Sequence, residues 1–199
     1  MYTKKIFGWS IIIIILVGIV FFVTIFVFPK QPPVSVYVNP IQNIIVPQQV
    51  LAQLPVQLVI SKIHVNAFIE YLGLTSSGAM AVPTGPDDVA WFDLGPRPGN
   101  VGAAVIAGHE GWKAGMPAVF DNLHELKVGD KIDTVDGSGA TTTFIVQKLG
   151  TYDQNANSAT VFSANDGLAH LNLITCEGTW NAAEQSYSNR LVVFAEKQN

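Results

Sequence analysis

Cys176 is the only cysteine in the 199 residues. Its thiolate is the strongest nucleophile that an ordinary side chain offers at neutral pH. It closes the run Leu171-Asn172-Leu173-Ile174-Thr175-Cys176, just ahead of Glu177-Gly178. The run alternates like a strand, with Leu171, Leu173 and Thr175 on one face and Asn172, Ile174 and Cys176 on the other. A thiol on the last step of a strand is held by backbone on one side and faces a loop on the other. That suits a nucleophile, and it also suits a small packing residue, because free cysteine is among the most buried side chains. Two other residues have a comparable setting. His109 follows the apolar run Val101-Gly102-Ala103-Ala104-Val105-Ile106-Ala107 and Gly108, where a rigid element positions a side chain that opens to a loop. Arg190 leads Leu191-Val192-Val193-Phe194-Ala195 and is one of two arginines, with Arg97. An arginine there serves equally as an edge ion pair. His64, His124 and His170 read as structural or surface residues.

The elements that carry these residues belong to a chain of mixed character. It is 49% hydrophobic and 13% charged, with a formal net charge of −4. No Lys/Arg run or basic patch points to nucleic acid. Lys4-Lys5 precede residues 6–28, a stretch of 23 residues without charge. As a helix it would extend about 35 Å, enough for a hydrocarbon core of about 30 Å. No small-residue cleavage pattern follows it, so an uncleaved signal anchor is expected. The lysine bias places residues 1–5 in the cytoplasm and the rest outside, giving a single-pass cell-membrane protein. An exported chain with one cysteine cannot form an internal disulfide, which makes a free thiol harder to treat as packing.

Residues 29–54 hold Pro29, Pro32, Pro33, Pro40 and Pro47 among Gln, Asn and Val, with Pro55 next. They are expected to form a semi-rigid extracytoplasmic linker. A domain over 55–199 follows. Its runs at 56–60, 65–74, 101–107, 131–135, 141–149, 171–176 and 190–195 read as short strands. Asp136-Gly137-Ser138-Gly139 is a hairpin signal. One helix is expected from Pro117 onward, with Val119, Phe120, Leu123 and Leu126 at helical spacing and Gly129 as its stop. A second short turn is expected within 156–163. The fold class is mainly all-β, a closed barrel or sandwich.

Three blocks carry a resemblance. Ala107-Gly108-His109, then Leu173-Ile174-Thr175-Cys176, then Asn189-Arg190-Leu191-Val192-Val193 resemble the signature blocks of the sortase family, in the sortase order. Further stretches resemble housekeeping sortases of the E and F classes. They are Leu58-Val59-Ile60-Ser61-Lys62-Ile63, Ala81-Val82-Pro83, Asp87-Asp88-Val89-Ala90-Trp91-Phe92, Gly95-Pro96-Arg97-Pro98-Gly99, Val119-Phe120 and Leu126-Lys127-Val128-Gly129-Asp130. The likeness runs from about residue 56 to the end. It departs at Glu110, which follows the histidine, and at Glu177, which follows the cysteine where class F relatives tend to have Gly-Gly. The arginine opens the last strand, as in classes A to D.

The resemblance implies an eight-stranded β-barrel in which Cys176, His109 and Arg190 meet. It implies a cysteine transpeptidase that cuts an LPXTG-like sorting signal after threonine and passes the protein to an amine acceptor of the cell wall. In that chemistry Cys176 attacks and forms a thioacyl intermediate, His109 moves the proton, and Arg190 holds the oxyanion or the substrate backbone. Thr175 and the backbone N–H of Glu177 would contact substrate. A carboxylate beside the nucleophile should disfavour the thiolate unless Glu177 points away. Pilin-polymerising relatives carry an Asp-Pro-aromatic lid, and residues 29–55 contain no Asp. Asp87-Asp88 and Glu110 are too few acids for a calcium site, so no metal and no cofactor are expected. Two alternatives remain at this level. One is an extracytoplasmic thiol peptidase or peptidoglycan hydrolase, although papain-like enzymes place the cysteine before the histidine. The other is a non-catalytic surface-binding β-domain, which would not need Cys176, His109 and Arg190 together.

Overall fold

The structure is a computed structural model that describes residues 52–183 and 186–199. The expected span at 6–28 and the expected linker through residue 51 lie outside the described residues. Eight strands form a closed barrel. They are β1 (Pro55–Ile60), β2 (Val65–Leu72), β3 (Val89–Phe92), β4 (Gly102–Ala107), β5 (Lys131–Asp136), β6 (Thr141–Asp153), β7 (Ala169–Asn181) and β8 (Ser186–Lys197). A single helical turn, α1 (Ala159–Phe162), lies against the outside of the barrel wall. The strand order is β1-β2-β3-β4-β7-β8-β6-β5, and β5 closes onto β1. Two pairs are parallel, β2 with β3 and β4 with β7. Parallel neighbours cannot be joined by a tight hairpin, so each pair requires a long connection. The connection from β4 to β7 runs through β5, β6 and α1.

Alternation of side chains builds the core. In β2 the residues Val65, Ala67 and Ile69 are buried while Asn66 and Phe68 face out. Leu58, Ile106, Phe144, Leu171 and Leu173 fill the interior and are fully buried. From Ala103 on, β4 is buried throughout, because its outer face meets a second cluster of Val105, Val161 and Val192. Asn172 pins α1 there: its Nδ2 donates to the Val161 carbonyl at 2.6 Å, and the whole side chain is buried. The Asp136 hairpin forms as expected. Its carboxylate accepts from Ser138 N–H and Ala140 N–H, an Asx-type closure.

The helix expected from Pro117 does not form; only the 3-10 turn Leu123–Glu125 is present. The backbone donors explain why. Val119 N–H bonds to the Pro86 carbonyl and Phe120 N–H to the His109 carbonyl, both outside the segment. Phe120, Leu123 and Leu126 are buried all the same, spaced by three as a tighter turn requires. β3 was not expected as a strand. β7 does not stop at Glu177-Gly178 but runs on to Asn181 through a bulge between Glu177 and Trp180. Gly178 permits it: its φ is +89°, and a methyl group at that position would lie only 2.5 Å from Ser188 Oγ. β8 likewise opens at Ser186, so Arg190 is the fifth residue of its strand rather than the first. His64 sits in the turn between β1 and β2, in left-handed conformation at φ 58°.

Candidate functional site

The site is assembled where β4 ends against β7 and β8, both of which continue past it. In the antiparallel pair of β7 and β8, Cys176 stands directly opposite Arg190. In the parallel pair, Ala107 of β4 is in register with Ile174 of β7. One residue beyond Ala107, Gly108 is clasped to β7 from both sides. Its N–H donates to the Ile174 carbonyl at 3.1 Å, and its carbonyl accepts from Thr175 Oγ1 at 2.8 Å. His109 follows the clasp by one residue on β4, as Cys176 does on β7. The buried Thr175 hydroxyl is therefore occupied as the strut that joins the two strands.

Glycine is required at 108. A Cβ there would lie 2.4 Å from Phe120 Cδ2 and 2.8 Å from Val119 Cγ1. His109 is held on further sides. Its Nε2–H donates to the Pro83 carbonyl at 2.9 Å, since a carbonyl can only accept. Its ring lies 4.7 Å from the Trp112 ring, tilted by 56°. Arg190 commits part of its fork to its own strand. Nη1 donates to the carbonyls of Tyr187 and Asn189 at 2.9 and 2.8 Å, and Nη2 donates to Ser186 Oγ at 3.0 Å. These bonds lock the planar group in one orientation.

Two cavities meet at these residues. One, of about 350 Å³, is lined mainly by Ala79, Met80, Val82, Phe162 and Ile174, with Gln154 and the expected substrate contact Thr175 as polar members. The other, of about 520 Å³, is lined by Glu110, Trp112, Lys113, Trp180, Ser186 and Tyr187. His109, Cys176 and Arg190 line both, and so form the partition between an apolar cavity and an aromatic, charged one.

The electrostatics correct one expectation. Burial pushes the Cys176 thiol up, the Arg190 guanidinium pulls it down, and Glu110 adds to the upward shift. The carboxylate that bears on the thiol is thus Glu110, from the loop after β4, and not the adjacent Glu177. Glu110 is itself raised, by burial first and then by the charges of Glu177 and Asp121. Glu177 Oε2 is buried without a hydrogen-bond partner. Among the described residues no cluster of three or more His, Cys, Asp or Glu side chains could hold a metal ion.

A family profile described as the sortase domain matches residues 58–198. The chain belongs to the sortase family. Sortases are cysteine transpeptidases, and the shared fold is evident in solved structures. Sortase C-1 from Actinomyces oris is 26% identical over 73% of this chain and 75% of that one, with a TM-score of 0.58. The lid mutant of sortase A from Corynebacterium diphtheriae is 22% identical over 77% and 74%, at 0.57. A Clostridium perfringens sortase D5 transpeptidase is 19% identical over 76% and 86%, at 0.56, and like the second it shows the fold alone. No curated protein matches the chain.

Sequence reasoning met Pro83 only within a resembling stretch and assigned no role to its backbone carbonyl; it had no view of Trp112, Trp180 and Tyr187. A cluster of aromatic residues around the three blocks was the available signal for the last three.

Proposed function

We propose that this sortase cleaves an LPXTG-like sorting signal through a Cys176 thioacyl intermediate and transfers the protein to a cell-wall amine. The observation that carries the proposal is the partition: a thiol, an imidazole and a guanidinium stand between two mainly apolar cavities with different linings, one largely aliphatic and one aromatic with Glu110 and Lys113, and a transpeptidase must bind two unlike substrates. The apolar cavity suits the leucine and proline of a sorting signal. The other suits an amine acceptor, with Glu110 for its ammonium and Trp112, Trp180 and Tyr187 for the body of the molecule.

The proton account follows from the raised thiol. Cys176 rests as the neutral thiol, so His109 takes its proton as Sγ attacks the threonine carbonyl of the sorting signal. The oxyanion is held by Arg190, with the N–H of Glu177 as a second donor. The C–N bond then breaks, His109 returns its proton to the departing amine, and a thioester remains. The acceptor amine attacks next, loses a proton to His109, and expels the Cys176 thiolate, which is reprotonated. Residues 6–28 would keep the enzyme on the membrane surface with its substrates, raising their effective concentration, and 29–54 would set its reach.

The test incubates the full chain in detergent with an LPXTG-type peptide and a short glycine peptide, and follows products by mass. The expected result is a ligated product and a thioester on Cys176, both lost in Cys176→Ala. Equal product from Cys176→Ala would refute the reading. Cleavage without ligation across a panel of amines would favour the hydrolase instead.

A further inference from the structure

The site as described lacks the carboxylate that commonly orients a catalytic imidazole. Glu70 lies near the end of β2, half-buried, beside Ala90 of β3. Its Oε1 accepts two hydrogen bonds from Thr84, one from the N–H at 3.1 Å and one from Oγ1 at 3.3 Å. The Thr84 N–H and the Pro83 carbonyl belong to the same peptide unit. That unit is planar and trans, so its N–H and its C=O point in opposite directions. Glu70 holds one end of the plane and His109 Nε2–H, at 2.9 Å, holds the other.

We propose that Glu70 is a positioning residue that orients His109 through the single peptide plane between Pro83 and Thr84. The proposal rests on His109 being the proton carrier. A carboxylate on the N–H end polarises the peptide and strengthens its carbonyl as an acceptor, because hydrogen bonds in a chain reinforce one another. The result is one tautomer, with the proton on Nε2 and Nδ1 left as the basic nitrogen of the ring. When His109 becomes imidazolium, the same carbonyl and the carboxylate behind it stabilise the charge. Neighbouring ties keep the segment in place independently of Glu70. Ala81 N–H bonds to the Gly73 carbonyl at 3.0 Å, and the Pro86 carbonyl accepts from Val119 N–H at 2.8 Å. Pro83 itself is buried. The same segment supplies Ala79, Met80 and Val82 to the apolar cavity, so the wall that would receive the sorting signal also carries the carbonyl that fixes the histidine.

The test uses the full chain, labelled with 15N-histidine, in detergent. Nuclear magnetic resonance reads the His109 tautomer and the solvent exchange of its Nε2 proton. Single-turnover thioacylation is measured in parallel with an LPXTG-type peptide. The wild type should show Nε2–H with a slowly exchanging proton. Glu70→Ala should exchange about tenfold faster and acylate about tenfold more slowly at saturating peptide, with KM changed less than about twofold. Glu70→Gln keeps an oxygen for both Thr84 donors but not the charge, and should recover most of the way, to within about threefold of wild type. Unchanged exchange in a folded Glu70→Ala overturns the proposal, as does a rise in KM with an intact acylation rate. If Glu70→Ala does not fold, the isosteric Glu70→Gln decides alone: a two- to threefold change is expected, and none overturns it. The exchange measurement needs no turnover. A wild type that forms no thioester would sink the transpeptidase reading while leaving the Glu70 proposal to stand or fall on the Nε2 proton.

Discussion

Gly108→Ala is the sharpest test of how the barrel positions the site. The added methyl would sit 2.4 Å from Phe120 Cδ2, 2.7 Å from Cε2 and 2.8 Å from Val119 Cγ1. Carbon atoms in contact prefer about 3.5–4.0 Å, so the nearest ring carbon must retreat by about 1 Å. Phe120 is 1% exposed and belongs to the main core, so no open space receives it. The alternative is to lift residue 108 off β7, breaking the bonds to Ile174 and Thr175. Overpacking of this kind costs about 1–3 kcal/mol. Either response also reaches His109, because its carbonyl accepts from Phe120 N–H at 2.9 Å. A displacement of about 1 Å at a catalytic group lowers the rate by about 100-fold. Urea unfolding with an unchanged slope reads the first effect, and single-turnover thioester formation reads the second. Phe120→Leu removes the obstructing ring atoms, so in the double variant the two substitutions should compensate by about 1 kcal/mol or more. The reasoning is refuted if Gly108→Ala alone stays within about 0.5 kcal/mol of wild type and keeps its rate.

Three further variants probe the surrounding chemistry. Alkylation of Cys176 should rise with pH beyond the ordinary thiol range, since burial outweighs Arg190. Glu110→Gln should speed it roughly two- to fivefold at fixed pH, and a slower rate would contradict the assignment of Glu110 as the opposing charge. Because the folded Glu110 carboxyl lies above its unfolded value, the native state loses stability as pH climbs through the window between the two. Glu110→Gln should therefore be the more stable protein at pH 7 and gain nothing in acid below that window, as thermal unfolding at both pH values would show. Arg190→Lys keeps the charge but loses the bonds to Tyr187, Asn189 and Ser186. Thioacylation should drop roughly 100-fold, the scale of a lost oxyanion donor, and a wild-type rate would remove Arg190 from that role. Asn172→Ala leaves the Val161 carbonyl unpaired, costing about 1–3 kcal/mol in urea unfolding. It should also raise KM for the sorting peptide, because α1 carries Phe162 into the apolar cavity; an unchanged KM would show that α1 does not depend on this bond.

What the sequence revealed depended on whether a feature is local. The strand at 171–176, the Asp136 hairpin and the strand that starts at Val65 are written in neighbouring residues, and each appears where the pattern puts it. The stretch after Pro117 misled because Val119, Phe120, Leu123 and Leu126 satisfy helical spacing while their backbone donors are claimed by Pro86 and His109. No local pattern reports a donor taken by a segment that arrives from elsewhere. β3 was missed for a related reason. Its four residues are too short to show a period, and they become a strand only because β2 and β4 flank them. Glu177-Gly178 looked like a stop because glycine usually is one, whereas here Gly178 makes the bulge that lets β7 continue to Trp180.

The same division runs through the site. Cys176, His109 and Arg190 could be singled out because each ends or enters an apolar run, although only His109 follows the end of its strand; β7 and β8 continue past Cys176 and Arg190. Their mutual placement could not, since it depends on registers: Cys176 opposite Arg190, and Ala107 beside Ile174. Alternation along β7 then gives adjacent residues opposite work. The Thr175 hydroxyl ties Gly108 to the strand, which fixes His109, while Thr175 touches one cavity; Cys176 turns to both. Glu177 next to the thiol was the expected electrostatic difficulty, yet the opposing charge comes from Glu110, 66 residues before Cys176 in the chain and brought in by the β4–β7 pairing.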